Sequence, residues 1–251
     1  MKILCIGNSF SEDTTMYLPD ILKAAGYENF KVCNLFVGGC SINRHCNHAR
    51  EDLPAYRWDT HTGSGWTRVM ERTMKEAILS DTWDWISIQH GSGDGSRYTQ
   101  AESYEQLPWL ISYVKELANK DAKIAFNMTW IGEPESRSEI SRYGGDQILT
   151  YNLTAQLTKE LIVPMPGIDK VCPTGTAIQN GRAADMGLLT RDNYHLSLDH
   201  GRYLAAMAFY KALTDNDITD LPWVNDDEQM RQKAIAVIHR TMKVPFEITN
   251  P

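Results

Sequence analysis

The chain has 251 residues, 42% of them hydrophobic and 23% charged, with a formal net charge of -7. That length suits one α/β domain with a sizeable core. The acidic balance argues against a nucleic-acid or anionic-membrane partner, since either needs a basic face. Five cysteines without a CxxC pair exclude a complete disulfide framework, and Cys5 and Cys33, set in apolar runs, read as small core residues. No run approaches the roughly 20 apolar residues of a membrane span. No charged segment followed by an apolar run opens the chain, so the expected location is the cytoplasm, or the periplasm or exterior if a leader has been removed.

Lys2 to Ile6 reads as a buried strand that breaks at Gly7-Asn8-Ser9. Tyr17, Leu18, Ile21, Leu22 and Ala25 then recur at helical spacing, and Gly26 stops the helix. Phe30 to Val37 is a second strand, ending in Gly38-Gly39, and the polar residues 40–65 read as a long functional loop. Val69, Met70, Met74, Ala77 and Ile78 predict a helix, and Trp83 to Gln89 a third strand. A helix over 102–119, a fourth strand over Lys123–Trp130, a polar loop over 131–144 and a helix over 145–161 follow. Residues 162–173 read as a short, proline-interrupted edge strand. Strong helical spacing returns over 199–214, and a helical extension near 225–240 closes a single domain with its core over about 2–214. Alternating strands and helices predict a three-layer α/β/α fold with a central parallel sheet of about five strands. In such a sheet the reactive groups belong at the carboxyl ends of the strands.

Four pieces fall at such places. Ser9 stands just beyond the first strand, where it either caps a helix or acts as a nucleophile. As a nucleophile it needs a base, itself oriented by a carboxylate, and donors aimed at the oxyanion. Asp192-Asn193-Tyr194-His195 supplies a carboxylate and an imidazole three apart, which either orient one another or merely fill a turn. Asp199 and His200 form a second pair, but at a helix start where Asp199 suits the dipole. Gly38-Gly39 either turns the chain or lets a backbone N–H approach a substrate. Gln89 ends the third strand and offers an amide donor, with His90 beside it as a pocket residue.

Other features lead elsewhere. Gly91 to Ser96 is glycine-rich, but Ser96 stands where a dinucleotide loop has its last glycine, so it reads as pocket rim. Cys40, His45, Cys46 and His48 match no zinc spacing. Arg44 and His45 are candidate substrate contacts. Trp130, at the end of the fourth strand, is either a lid over core or a platform for a sugar ring.

Taken together, Ile-Gly-Asn-Ser-Phe-Ser after the first strand, Gly-Gly-Cys-Ser after the second, an amide after the third, and Asp-x-x-His-Leu-Ser followed by Gly-x-Tyr-Leu-Ala are similar to the blocks of the SGNH (GDSL-like) hydrolase superfamily. The chain most resembles a bacterial branch catalogued as a domain of unknown function, over residues 2 to about 212. The resemblance implies a flavodoxin-like fold, with Ser9 as nucleophile, His195 as base and Asp192 as its orienting carboxylate. It implies Ser9 and Gly39 N–H groups in the oxyanion hole. Two blocks depart from the pattern. Asn8 stands where the family name has aspartate, and Ile88-Gln89-His90-Gly91 replaces the usual Gly-x-Asn-Asp. Some carbohydrate esterases of the superfamily carry Gln-Gly-Glu there, which implies Gln89 as the side-chain donor.

The resulting expectation is a serine esterase acting on a small acyl ester, such as an O-acetyl group on a carbohydrate, with no metal or organic cofactor. An acyltransferase with the same triad and a non-catalytic carbohydrate-binding protein on the same scaffold are the alternatives.

Overall fold

The computed structural model describes residues 1–90 and 99–249. The elements run β1 (Lys2–Gly7), α1 (Ser9–Thr15), α2 (Leu18–Ala24), β2 (Lys31–Phe36), α3 (Ile42–Arg50), β3 (Tyr56–His61), β4 (Trp66–Arg72), α4 (Met74–Leu79), β5 (Trp85–Gln89), α5 (Leu107–Leu117), β6 (Lys123–Asn127), α6 (Arg137–Tyr143), α7 (Gln147–Leu157), β7 (Lys170–Cys172), α8 (Thr174–Ala183), α9 (His200–Thr214) and α10 (Glu228–Lys243). The Gly91–Ser96 segment, expected at the pocket rim, lies outside the described residues.

Among the described residues the sheet has seven strands in the order β4-β3-β2-β1-β5-β6-β7. The five strands from β2 to β7 in that order are parallel, with the flavodoxin-like crossover at β1. β3 runs antiparallel to β2, and β4 antiparallel to β3. The sheet is therefore mixed and has two strands more than expected. The extra pair is a hairpin drawn from the segment read as loop and helix.

The reasons are local. Val69 and Met70 looked like a helical stripe leading into Met74, Ala77 and Ile78. The stripe crosses an element boundary instead. Val69 and Met70 are exposed on the edge strand, whereas Met74, Ala77 and Ile78 are buried on α4. A capping box separates the two: Glu76 N donates to Thr73 Oγ1 at 3.1 Å, and Thr73 N donates to Glu76 Oε2 at 3.0 Å. The expected strand over 162–173 shrinks to Lys170–Cys172. α8 shows no apolar stripe in the sequence, because Thr174, Thr176, Gln179 and Asn180 are buried alongside Ala177 and Ile178.

Alternating β1 residues feed two apolar layers. Ile3 and Cys5 pack with α2, α8, α9 and α10, while Leu4 and Ile6 pack with α3, α4, α5 and α7. Ala234, Ile235, Val237 and Ile238 bring α10 into the first of these layers, so it is built into the core beside α9. Register aligns Gly7 with Phe36, Ile6 with Ile88, and Gln89 with Asn127. The carboxyl ends of β1, β2, β5 and β6 thus open on one edge, and the candidate site lies there. No helix among the described residues is long and apolar enough to cross a membrane.

Candidate active site

α1 starts at Ser9 itself, several residues earlier than the apolar spacing indicated. Asn8 is its N-cap: the Asn8 Oδ1 accepts from Phe10 N at 2.9 Å. The Ser9 N–H sits at the first helical position, which has no intrahelical acceptor. Ser9 is partly exposed, while Asn8 is completely buried. The Asn8 amide joins three strand ends. Its Oδ1 also accepts from Gln89 Nε2 at 2.7 Å, and its Nδ2 donates to the Cys40 carbonyl at 3.1 Å. The turn after β2 is thereby tied to the start of α1. Within that turn Gly39 has φ of +59°, a left-handed conformation that glycine adopts without steric penalty.

The Asn8 amide must donate on one side and accept on the other. An aspartate there could accept from Phe10 N and Gln89 Nε2, but it could not donate to Cys40. The Asn-for-Asp difference in the first block therefore matches a specific carbonyl partner in this chain.

The Asp192–His195 segment lies in a tight loop between a Thr190–Leu196 bridge. Asn193 has φ of +62°, which asparagine tolerates better than most residues, and this folds the loop back on itself. Asp192 Oδ1 accepts from Tyr194 N at 3.1 Å and His195 N at 2.6 Å. Its Oδ2 lies 2.7 Å from His195 Nδ1. Burial draws the Asp192 carboxyl upward, but the hydrogen bonds from the His195 ring and from the loop backbone outweigh it and hold the group below its ordinary value. In the neutral imidazole an ionised Asp192 favours the tautomer with its proton on Nδ1, which leaves the lone pair on Nε2. That nitrogen lies 2.9 Å from Ser9 Oγ.

The ring is held from behind by aromatic groups. Phe10 packs against Trp130 at 4.3 Å and Tyr194 at 4.9 Å between centroids, and meets the His195 ring edge-on at 6.4 Å. Trp130 Nε1 donates to the Tyr194 carbonyl at 2.8 Å.

The structure brings together Ser9, Asp192 and His195, with the Gly39 turn alongside. It turns four other expected residues inward. Gln89 is 3% exposed and directs its amide to Asn8, so it supports the cap instead of facing an oxyanion. His90 is buried, with Nε2 2.8 Å from Thr129 Oγ1. His45 is buried with Nδ1 2.9 Å from the Tyr56 hydroxyl, and burial, with His48 and Arg44 nearby, pushes it down to about 3, so it is neutral. Trp130 is 1% exposed, which removes it as a sugar platform. Of the expected substrate contacts, Arg44 stays partly exposed, on the first turn of α3 just beyond the Gly39 turn. The second pair separates. Asp199 caps α9 through His200 N at 2.6 Å, and His200 Nδ1 accepts from Trp223 Nε1 at 3.0 Å. Among the described residues no group of three or more His, Cys, Asp or Glu side chains could hold a metal ion.

Reading the chain by blocks missed Phe10, Asp13, Tyr194 and Arg191. Phe10 and Tyr194 lie inside the first and last blocks as their unassigned positions, and Arg191 adjoins Asp192. Asp13 carried a faint signal, as an acidic residue one turn after Ser9 on the same helix.

Residues 2–241 match the family described as a domain of unknown function, DUF4886. A crystal structure of a DUF4886 family protein from Bacteroides uniformis has 31% identity and a TM-score of 0.91, covering 100% of this chain and 97% of that one. The protein belongs to the DUF4886 family. TesA has the same fold, with a TM-score of 0.52 at 11% identity, covering 86% of this chain and 99% of that one. An acetyl xylan esterase, AlAXEase, aligns at a TM-score of 0.47 and 13% identity over 84% of this chain and 99% of that one. No curated protein matches the chain.

Proposed function

We propose that the protein is a serine esterase of the SGNH type. The observation that carries this reading is the continuous relay from Asp192 through the two ring nitrogens of His195 to Ser9, with steps of 2.7 and 2.9 Å, at the carboxyl edge of the sheet. Ser9 Oγ attacks the ester carbonyl while its proton passes to His195 Nε2. Asp192 holds the imidazole and stabilises the imidazolium. The tetrahedral oxyanion is met by the N–H groups of Ser9 and Gly39. His195 then returns the proton to the departing alkoxide, leaving an acyl-Ser9 ester. Water, deprotonated by the same nitrogen, attacks that ester, and His195 returns the proton to Ser9 Oγ as the acyl–Oγ bond breaks and the acid leaves.

The substrate class we propose is a small acyl ester, an acetyl group on a carbohydrate, with Arg44 as a substrate contact. The test is the release of acetate from p-nitrophenyl acetate and from acetylated oligosaccharides. Ser9→Ala should abolish nearly all turnover in a protein of unchanged circular dichroism. Wild-type turnover in that variant would remove the mechanism. Acetyl transfer to an added sugar without acetate release would replace the hydrolase with an acyltransferase. A fluorophosphonate probe should label the wild type and not His195→Ala, and absence of labelling would favour a non-catalytic binding role.

A further inference from the structure

We propose that Asp13 is a positioning residue that sets the distance between Ser9 and His195; the inference rests on the hydrolase reading above. Asp13 is completely buried on α1, four residues after Ser9 and so one helical turn along. Its partners lie on the loop that carries His195. Asp13 Oδ2 accepts from Leu196 N at 2.9 Å, the residue directly after His195. Arg191 Nη1 reaches both Asp13 oxygens, at 3.1 and 3.2 Å, and also donates to the Leu196 carbonyl. Arg202, on α9, donates from Nε to Asp13 Oδ1 at 2.7 Å. One carboxylate therefore grips the loop before Asp192 and after His195, from the same helix that presents the Ser9 hydroxyl.

The physical logic favours position over stability. A charge taken out of water is costly, and a buried ion cluster is often no better for stability than an apolar replacement of the same shape. What the cluster supplies is direction. Nucleophile and base come from segments 186 residues apart, and without a shared anchor their separation would depend on the packing of a seven-residue helix against a loop. Two carbonyls within the loop are held as well. Glu133 N donates to the Asn193 carbonyl at 2.7 Å, and Trp130 Nε1 to that of Tyr194 at 2.8 Å. Asp13 differs from these in coupling the loop to the nucleophile's own helix.

The experiment is a double-mutant cycle on p-nitrophenyl acetate hydrolysis, using Asp13→Asn, His195→Ala and the double variant. Displacing a base by a fraction of an ångström to an ångström costs up to about 100-fold. Asp13→Asn should accordingly lower kcat by about 10- to 100-fold with KM changed less than about twofold. In the His195→Ala background the same change should cost less than about twofold, because no base remains to be misplaced. Arg191→Gln alters a partly exposed side chain and serves if Asp13→Asn does not fold; it should lower kcat in the same manner. Retention of wild-type kcat by the folded variants overturns the proposal. So does an equal loss with and without His195, which would make Asp13 a general support of the fold. Wild-type turnover in His195→Ala overturns the hydrolase reading itself and leaves no base to position, a result separable from the other two.

Discussion

Gln89 Nε2 donates to Asn8 Oδ1 at 2.7 Å, and both side chains are buried under the edge where the strands end. The two amides form a chain from β5, through the α1 cap, to the carbonyl of Cys40 beyond the Gly39 turn. Asn8→Asp removes the donor to Cys40 and sets a carboxylate against its carbonyl. Losing a buried hydrogen bond and placing a carboxylate against a carbonyl costs about 1–3 kcal/mol. Thermal unfolding should show the variant less stable by that order, and any turnover of p-nitrophenyl acetate should fall because the Gly39 turn loses its tie to Ser9. An unchanged melting temperature would mean that the Asn8–Cys40 bond is immaterial.

Trp130 separates a wall from a platform. As a platform for sugar rings, its replacement by phenylalanine would raise KM for carbohydrate esters alone. The buried indole instead donates to the Tyr194 carbonyl beside His195. Trp130→Phe should lower kcat equally for p-nitrophenyl acetate and for acetylated oligosaccharides, leaving KM for both unchanged. Steady-state kinetics on the two substrates distinguishes the outcomes.

Gly201, in the Gly-x-Tyr-Leu-Ala block, lets α9 approach the root of the His195 loop. A Cβ there would stand 2.2 Å from the Leu189 carbonyl oxygen and 2.9 Å from Ser197 Oγ. The first neighbour is backbone, and Leu189 O also accepts from Ser197 N at 2.8 Å, so it cannot step aside freely. Gly201→Ala should destabilise the fold by about 1–3 kcal/mol through overpacking. Chemical denaturation measures this, and a variant as stable as the wild type would show that α9 has slack.

Acid stability should report on Asp81. Burial draws this carboxyl up, but hydrogen bonds from Lys2 and Lys31 overcome that and leave it at about 2, below the ordinary value of 3.8. A carboxylate depressed on folding contributes stability that is complete above its unfolded value and is lost as pH falls through the folded value. Asp81→Asn should therefore be less stable than the wild type at pH 7, with the difference shrinking below the ordinary carboxylate value and vanishing only below about pH 2. Melting curves across that range check the sign, and a gap that widens on acidification would contradict it.

Much of the site was legible because it is carried by blocks that combine a strand end with a reactive residue. The Gly-Asn-Ser, Gly-Gly-Cys-Ser and Asp-x-x-His segments all reach one sheet edge, as an alternating α/β pattern requires. Gln89 shows where that reading stops. Its place at the end of β5 follows from an apolar run, but the direction of its amide depends on Asn8, which is 81 residues away. His45 and Trp130 fail likewise: polar or aromatic residues near a strand end look accessible until the neighbouring segments close over them.

The sequence by itself determined the parallel core, the two apolar layers and the order of the blocks, because strand and helix periods are local properties of hydrophobic spacing. It did not determine α1. Ser9 to Thr15 has no apolar stripe: apart from Phe10, which packs on Trp130 and Tyr194, the helix is held by polar partners. Glu12 pairs with Arg57 at 2.6 Å, Thr14 and Thr15 accept from Asn127 and Asn34 at 3.3 and 2.6 Å, and Asp13 binds Arg191, Arg202 and Leu196. Each of those partners lies on another segment of the chain. Hydrogen bonds and ion pairs of this kind have no sequence period, so although Asn8 caps the helix locally, the tertiary structure alone decided how α1 is held and how Ser9 meets His195.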